Sequence, residues 1–304
     1  SAPYMHKEKE KVSSMLSSHK LLVDWVEVQE RLEEDQLLKI IGNYHGIICG
    51  DDRITKKVID AAKSLKVIVK WGTGIDSIDA EYSRSRGIPV HRTPNAFTEP
   101  VADTTIALML SYVRSIFAND LIVKSGGWHK PQGYTLAEKT VGLIGFGDIG
   151  RGVAKRLQGF GCRVLVNDLN DISLELQDKL SVKSASKEQI YADCDIISLH
   201  CDLNQTSQHL LNSTSLSAMK KKPFIINTAR GPLIKEEDLV RAIEMKLVAG
   251  AGLDVFEEEP LPVSSPLRRM KEVIASCHNS NSSPQKWDHV HKNSIAMLVR
   301  ELNG

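Results

Sequence analysis

An α/β chain in two parts, each built on a parallel sheet flanked by helices, is the fold class this sequence predicts. Three observations predict it. Short apolar, β-branched runs alternate with helically periodic stretches along nearly all of its 304 residues, the signature of parallel βαβ units. The alternation breaks once, at a proline-punctuated segment near residues 93–99, and then resumes. A chain of this length also buries roughly 75% of its unfolded surface, usually as two domains.

Composition narrows the range of function. The 39 basic and 38 acidic side chains leave a net charge of +1 with the signs interspersed. There is therefore no basic face to predict nucleic-acid binding and no polybasic anchor for a membrane. No apolar run approaches the roughly 18 residues of a membrane span, and the opening SAPYMHKEKEKVSSMLSSHK has no signal-peptide core. Cys49, Cys162, Cys194, Cys201 and Cys277 show neither zinc nor disulfide spacing. That suits a reducing compartment and predicts a cytoplasmic protein with no metal site.

In the first part, LLVDWV (Leu21–Val26), GIICG (Gly46–Gly50), KVIVK (Lys66–Lys70) and IPVHR (Ile88–Arg92) read as strands, with ERLEEDQLLKIIGN and DRITKKVIDAAKSL as helices between them. Only Ser1 and Ala2 precede Pro3, so the strand that usually opens such a domain is expected to be truncated. A linker follows over Thr93–Glu99. A long helix starts at Pro100, with Val101, Ile106, Leu108, Met109, Tyr112, Val113 and Ile116 at helical spacing. The arm KSGGWHKPQGYTLAEK is too polar for a core; its Trp128 either meets a partner subunit or folds back on its own domain. TVGLIGFG, CRVLVND, CDIISLHC, KPFIINTA, LVAGAGLDVF and EVIASC then supply six strands of a larger parallel sheet. KWDHVHKNSIAMLVRELNG reads as a closing helix that returns to the first domain. The expected division is 1–94 with 283–304 for the smaller domain and 95–282 for the larger.

VGLIGFGDIG carries Gly145, Gly147 and Gly150 in the G-x-G-x-x-G pattern. The pattern alone is weak, but its context is specific. Val141–Ile144 form a buried strand, and Ile149, Val153, Leu157 and Phe160 form the apolar stripe of the next helix. Glycines there let the backbone turn tightly and approach a pyrophosphate, which the helix N-terminus then receives. Asp168 ends the following strand, 168 − 147 = 21 residues past the second glycine, where a carboxylate accepts the ribose hydroxyls. The residues after it, Leu169, Asn170 and Asp171, include no arginine for a 2′-phosphate. The pattern thus predicts a Rossmann domain that binds NAD rather than NADP. Asp148 is expected to face solvent as the N-cap and to offer only its amide.

Three further strand ends carry reactive side chains: Arg230 in INTARGPLI, Asp254 and Glu259 in GLDVFEEEP, and His278 in ASCHNSNSSP. In open α/β sheets the ligand lies at that edge. Each residue has a bland reading as well: a surface ion pair for Arg230, one of three solvated acids for Glu259, a satisfied loop residue for His278. Their joint placement beside a nicotinamide site is what points to catalysis.

With KWGTGIDSID (Lys70–Asp79) and TPNAFTEPVAD (Thr93–Asp103), these motifs in this order resemble the D-isomer-specific 2-hydroxyacid dehydrogenase family over nearly the whole chain. Arg230 and Glu259 stand 259 − 230 = 29 residues apart with Pro260 next, as in the family motif. The resemblance implies a smaller flavodoxin-like α/β substrate domain beside the Rossmann domain. It also implies an NAD-dependent enzyme interconverting a small D-2-hydroxy acid and its 2-oxo acid. His278 would be the general acid and base. Glu259 would hold its tautomer and stabilise its charged form. Arg230 would bind the substrate carboxylate and polarise the carbonyl with a planar fork. Backbone amides of Trp71, Gly72 and Thr73 would help hold the carboxylate, and Thr73, Asp148, Ile149, Cys201, Thr228 and Asp254 would join Gly145, Gly147, Gly150 and Asp168 around the cofactor. By the same resemblance a cleft closes around Thr93–Glu99 and His278–Pro284, and two subunits pair through the NAD domain as a homodimer. The chain departs from the phosphoglycerate dehydrogenases of the family at Cys49, where they carry an arginine. It departs from most members at Asp103, where Glu is common, and at Cys277, where Pro is usual. The alternative function on the same fold is a non-catalytic NAD(H)-sensing interaction protein resembling the C-terminal-binding-protein corepressors.

Overall fold

The computed structural model describes residues 1–28 and 30–303. They form two compact units, residues 1–97 together with the stretch from Ser282 onward, and Thr98–Asn281.

The first unit holds a three-stranded parallel sheet in the order β1-β2-β3, with β1 at Gly46–Cys49, β2 at Val67–Lys70 and β3 at Val90–His91. Every residue of β2 is buried: Val67–Val69 are apolar, as a central parallel strand requires, and Lys70 at its end donates to Gly50 O at 2.6 Å. Thr55 Oγ1 accepts from Val58 N to start the helix Lys56–Ala61, and Asp79 Oδ1 accepts from Tyr82 N to start Ala80–Ser85, the capping expected of those residue types. The closing helix Pro284–Asn303 belongs to this unit and seats Leu298 against Val67 and Val69. Gly304, the last residue of that sequence motif, lies outside the described residues.

One expectation for this unit is corrected. Leu21–Val26 is not a strand; the segment has no regular structure, and Leu22 is fully exposed. An apolar run becomes a strand only where a neighbour completes its hydrogen-bond ladder. The edge of β1 does not: an apolar cavity of about 570 Å³, walled by Leu16, Leu21, Val26, Leu37, Ile48 and Leu298 among others, lies there instead. Pro3 occupies the first turn of the helix Pro3–Lys7, and Ser1 and Ala2 ahead of it form no strand.

The second unit holds a seven-stranded parallel sheet in the order β10-β9-β8-β7-β4-β5-β6. The strands are β4 (Thr140–Ile144), β5 (Arg163–Asn167), β6 (Lys183–Ser184), β7 (Ile196–Leu199), β8 (Phe224–Asn227), β9 (Gly250–Leu253) and β10 (Val273–Ala275). All six sequence-predicted strands are present. The seventh, β6, is an exposed two-residue edge with no apolar alternation to announce it. The order runs outward in both directions from β4, so the topological switch point falls between β4 and β7, where such sheets bind their ligands. One apolar layer packs Leu165, Ile197, Ile225 and Leu253 under Leu239 and Ile243. The opposite layer packs Val141, Leu143, Val166 and Ile226 under Met109, Val153 and Leu157.

The helix predicted from Pro100 begins two residues earlier, at Thr98, and runs to Val113. It breaks at Ser115 (φ 53°) and resumes as Ile116–Lys124, bent by 60°. Among the described residues no single helix is long and apolar enough to cross a membrane. Trp128 is 81% exposed, so of its two readings the fold-back onto its own domain is the one the structure contradicts.

Candidate active site

The glycine-rich turn sits at the carboxyl end of β4, beside the switch point. Gly145 N donates to Asn167 O over 2.8 Å, and Gly145 takes φ 96°, open to glycine and strained for any side chain. A Cβ there would lie 2.4 Å from both His200 C and Cys201 N, and a Cβ at Gly150 would lie 2.2 Å from Gly145 O. These two glycines let the turn, the helix Asp148–Leu157 and the chain leaving β7 close on one another. Gly147 differs: a Cβ there meets nothing within 4 Å, so its bare backbone faces open space. It is also the N-cap, and no side chain caps the helix. Asp148 is therefore the first helical residue and not the N-cap expected from the sequence. An uncapped helix N-terminus behind an open glycine fits a dinucleotide pyrophosphate.

Asp168, at the end of β5, lies over the same turn. Its Oδ2 accepts from Phe146 N over 2.6 Å, and its Oδ1 accepts from Asn170 N at 2.9 Å and Asn170 Nδ2 at 3.1 Å. Burial alone would raise its proton affinity, but the amides of Asn170 and Phe146, with help from Arg151, outweigh it and hold the carboxyl below its ordinary range. An ionised acceptor with spare lone pairs is what ribose hydroxyls need. Arg151, on the helix Asp148–Leu157, donates its Nε to Phe146 O at 2.9 Å and so braces the glycine turn. Among the other expected cofactor contacts, Ile149 follows on the helix. Cys201 follows β7, its thiol pushed up to about 11 by burial. Thr228 is buried after β8, its Oγ1 3.1 Å from that of Thr105.

The reactive constellation gathers at the ends of β8, β9 and β10. His278 Nδ1 lies 2.9 Å from Glu259 Oε2, with side chains 20% and 15% exposed. Glu259 Oε1 accepts from Phe256 N at 2.9 Å, so the carboxylate is itself held on a short turn. The three consecutive acids are thereby sorted. Glu257 bonds His209 Nε2 and the amide of Glu236, Glu258 is exposed, and Glu259 alone faces the histidine. The concentration of charge tells on Glu236, whose carboxyl is pushed up by burial and by Glu257, Glu259 and Glu258.

Asp254 holds the loop that presents the imidazole. Its Oδ1 accepts from Ser276 Oγ (2.5 Å) and Asn279 N (3.0 Å), its Oδ2 from Ser280 N (3.0 Å), and its O from His278 N (2.7 Å). This anchoring is not legible in the sequence, where Asp254 reads as a strand-end acid and, by the family resemblance, as a cofactor contact. Arg230 follows β8 on a turn made by Asn227, whose Oδ1 accepts from Ala229 N and whose Nδ2 donates to Arg230 O. Arg230 Nη1 donates to Ala229 O at 2.8 Å. The next residue, Gly231, presses directly on the Glu259 turn; a Cβ there would lie 1.8 Å from Phe256 O.

Trp71, Gly72 and Thr73 belong to the other unit, at the carboxyl end of β2. Their turn is fixed by Trp71 N donating to Cys49 O (2.9 Å), Thr93 N to Gly72 O (2.8 Å) and Thr73 Oγ1 to Thr93 O (2.9 Å).

A seven-stranded Rossmann sheet with an open dinucleotide turn at its switch point is the architecture of nicotinamide-dependent oxidoreductases. Comparison with known proteins makes the class specific. The family model described as D-isomer specific 2-hydroxyacid dehydrogenase, NAD binding domain, matches residues 106–280. A glyoxylate reductase of Thermofilum pendens is 35% identical over 280 residues, 89% of this chain and 82% of that protein. A hydroxypyruvate reductase of Thermotoga maritima is 34% identical over 300 residues, 97% of this chain and 95% of that one. The crystal structure of a glyoxylate reductase from Paecilomyes thermophila, 30% identical, superposes with a TM-score of 0.84 over 94% of this chain and 90% of that one. The chain belongs to the D-isomer-specific 2-hydroxyacid dehydrogenase family. It is an NAD-dependent D-2-hydroxyacid dehydrogenase, and its relatives favour that reading over the corepressor-like alternative.

Proposed function

We propose that the protein reduces a small, unphosphorylated 2-oxo acid of the glyoxylate or hydroxypyruvate kind to its 2-hydroxy acid, of D configuration where that product is chiral. The observation that carries the reading is the 2.9 Å approach of His278 Nδ1 to Glu259 Oε2. A carboxylate accepts only, so Nδ1 donates, and Nε2 is left to exchange a proton with substrate. NADH supplies the reducing equivalent. His278 gives its proton to the carbonyl oxygen as charge develops there, and takes it back in the reverse direction. Glu259 stabilises the imidazolium and fixes its ring. Arg230 pairs with the substrate carboxylate and draws electrons from the carbonyl; of the three amides expected to help hold the carboxylate, that of Trp71 is already spent on Cys49 O, which leaves those of Gly72 and Thr73. Gly145, Gly147, Gly150, Asp148, Ile149, Asp168, Cys201, Thr228, Asp254 and Thr73 form the cofactor contacts.

The substrate class follows the names of the relatives, and Cys49 in place of a family arginine supports an unphosphorylated acid. Pairing as a homodimer through the NAD unit is supported by the exposed Ile116, Phe117, Leu121, Val123 and Trp128, a concentration of apolar surface that monomers seldom leave bare. A cytoplasmic setting is supported by five free cysteines, two of which, Cys49 and Cys194, burial pushes up to about 12.

Steady-state reduction of a panel of 2-oxo acids, run with NADH and NADPH in parallel, tests the reading. Glyoxylate and hydroxypyruvate should be turned over fastest, with NADH preferred by about tenfold or more because Asp168 repels a 2′-phosphate. No turnover of any 2-oxo acid with either cofactor would remove the enzymatic assignment, and tighter use of NADPH would remove the role of Asp168.

A further inference from the structure

A buried histidine that the proposed chemistry does not use holds Trp71 by its indole. Trp71 is 4% exposed, and its ring stacks on Tyr4 with centroids 5.1 Å apart, with Phe97 tilted against it at 5.5 Å. Its Nε1 donates to His291 Nδ1 over 2.8 Å. An indole nitrogen only donates, so His291 Nδ1 carries no proton and the ring proton sits on Nε2. That nitrogen lies 3.1 Å from Glu8 Oε2, which accepts it. The two neighbours thus fix the tautomer of a side chain that is fully buried. The same helix, Pro284–Asn303, also sends Asn293 Nδ2 to Thr93 Oγ1 at 2.9 Å, and Thr93 carries the hydrogen bonds to Gly72 and Thr73 given above.

We propose that His291 and Glu8 are positioning residues for the Trp71–Gly72–Thr73 turn, holding it in its carboxylate-receiving form only while His291 is neutral. The inference rests on the reading that the Gly72 and Thr73 amides receive the substrate carboxylate. Protonated at Nδ1, His291 would set N–H against the indole N–H, and the bond would be lost. The charged groups around the imidazole are Glu8, Lys11 and Asp288. Lys11 pairs with both acids, 3.5 Å from Glu8 and in contact with Asp288. Burial dominates and pushes His291 below the ordinary histidine value; Glu8 and Asp288 pull the other way, and Lys11 adds to the lowering. A group lowered in this way contributes fully above its unfolded value. The contribution is lost as pH falls toward the folded one, so the hold is complete at neutral pH and fails in acid.

The test uses the 304-residue protein labelled with ¹⁵N-tryptophan. The indole Nε1–H resonance that disappears in Trp71→Phe belongs to Trp71. At neutral pH it should resist exchange, and it should move only as pH drops below the ordinary imidazole range, because burial lowers His291. Over that interval KM for the 2-oxo acid should rise more than kcat falls. His291→Leu should lose the protection and raise KM about tenfold with kcat changed much less, as expected when only the receiving geometry is loosened. His291→Asn places an amide oxygen near the position of Nδ1, so it should restore the protection and the KM and abolish the pH step. A Trp71 indole that exchanges freely in the wild type, or that shifts identically in His291→Asn, overturns the proposal, and so does an unchanged KM in His291→Leu. If His291→Leu does not fold, the comparison of wild type with His291→Asn decides alone. A wild type that turns over no 2-oxo acid is a failure of the enzyme reading, and the indole titration still judges the hold.

Discussion

Replacing His278 with Ala should lower kcat for 2-oxo acid reduction by about 10²–10⁴-fold, the usual worth of a positioned proton donor, while NADH affinity stays near that of the wild type. The geometry explains the separation. The imidazole is tethered to Glu259 at 2.9 Å, whereas the dinucleotide turn is built from Gly145, Gly147, Gly150 and Asp168 at other strand ends. The loop holding position 278 hangs on Asp254 through the Asn279 and Ser280 amides, and these bonds do not involve the ring. Rapid-reaction measurement of hydride transfer alongside fluorescence titration of NADH checks both halves. Rates indistinguishable from wild type would remove the proton-transfer role. Glu259→Gln gives the companion result. It removes the negative charge that stabilises the imidazolium, so the protonated acid is depleted at lower pH and the alkaline limb of the reduction rate should move downward. An unmoved limb would count against the pair.

Gly231→Ala should be nearly as damaging although it adds one methyl group and touches no substrate. The new Cβ would fall 1.8 Å from Phe256 O and 1.9 Å from Phe256 C, backbone atoms that cannot swing away as a side-chain tip would. Either the Arg230 turn or the Glu259 turn must shift. A misplacement of about 1 Å costs on the order of 10² in rate, and the overpacking costs about 1–3 kcal/mol of stability. Both kcat for the 2-oxo acid and the melting temperature should therefore fall, with NADH binding affected least. Wild-type kinetics in this variant would show that the two turns can separate without loss.

The readable and unreadable parts of this chain divide along physical lines. Six strands of the larger sheet announced themselves because most are buried at their centres and so spelled mainly in apolar residues, with β10 half-buried at the sheet edge. The glycine turn was legible because its steric demand admits no other residue at Gly145 or Gly150. Leu21–Val26 misled for the converse reason: its apolar run looks like a strand, but the free edge of β1 offers it no ladder. The strand Lys183–Ser184 was silent because an exposed edge two residues long needs no apolar side chains. In the site, the types and spacing of Arg230, Glu259 and His278 could be read from sequence, but the work of Asp254 could not. Its partners are the backbone amides of a loop more than twenty residues away, and backbone amides leave no mark on composition. His291 was hidden similarly, as one polar residue among many on a helix whose inner face only the fold reveals.

His278 carries a further consequence through its backbone, which adopts φ 49°, a left-handed conformation that a histidine occupies less readily than asparagine or glycine. Such a conformation disfavours the folded chain by about 1–3 kcal/mol where the surroundings enforce it. Position 278 is therefore one at which selection for turnover and selection for robustness pull apart. Variants gathered for thermal endurance alone would drift toward Asn or Gly here and arrive sturdier and inert, which makes this loop a natural place to watch an enzyme surrender its chemistry to its scaffold.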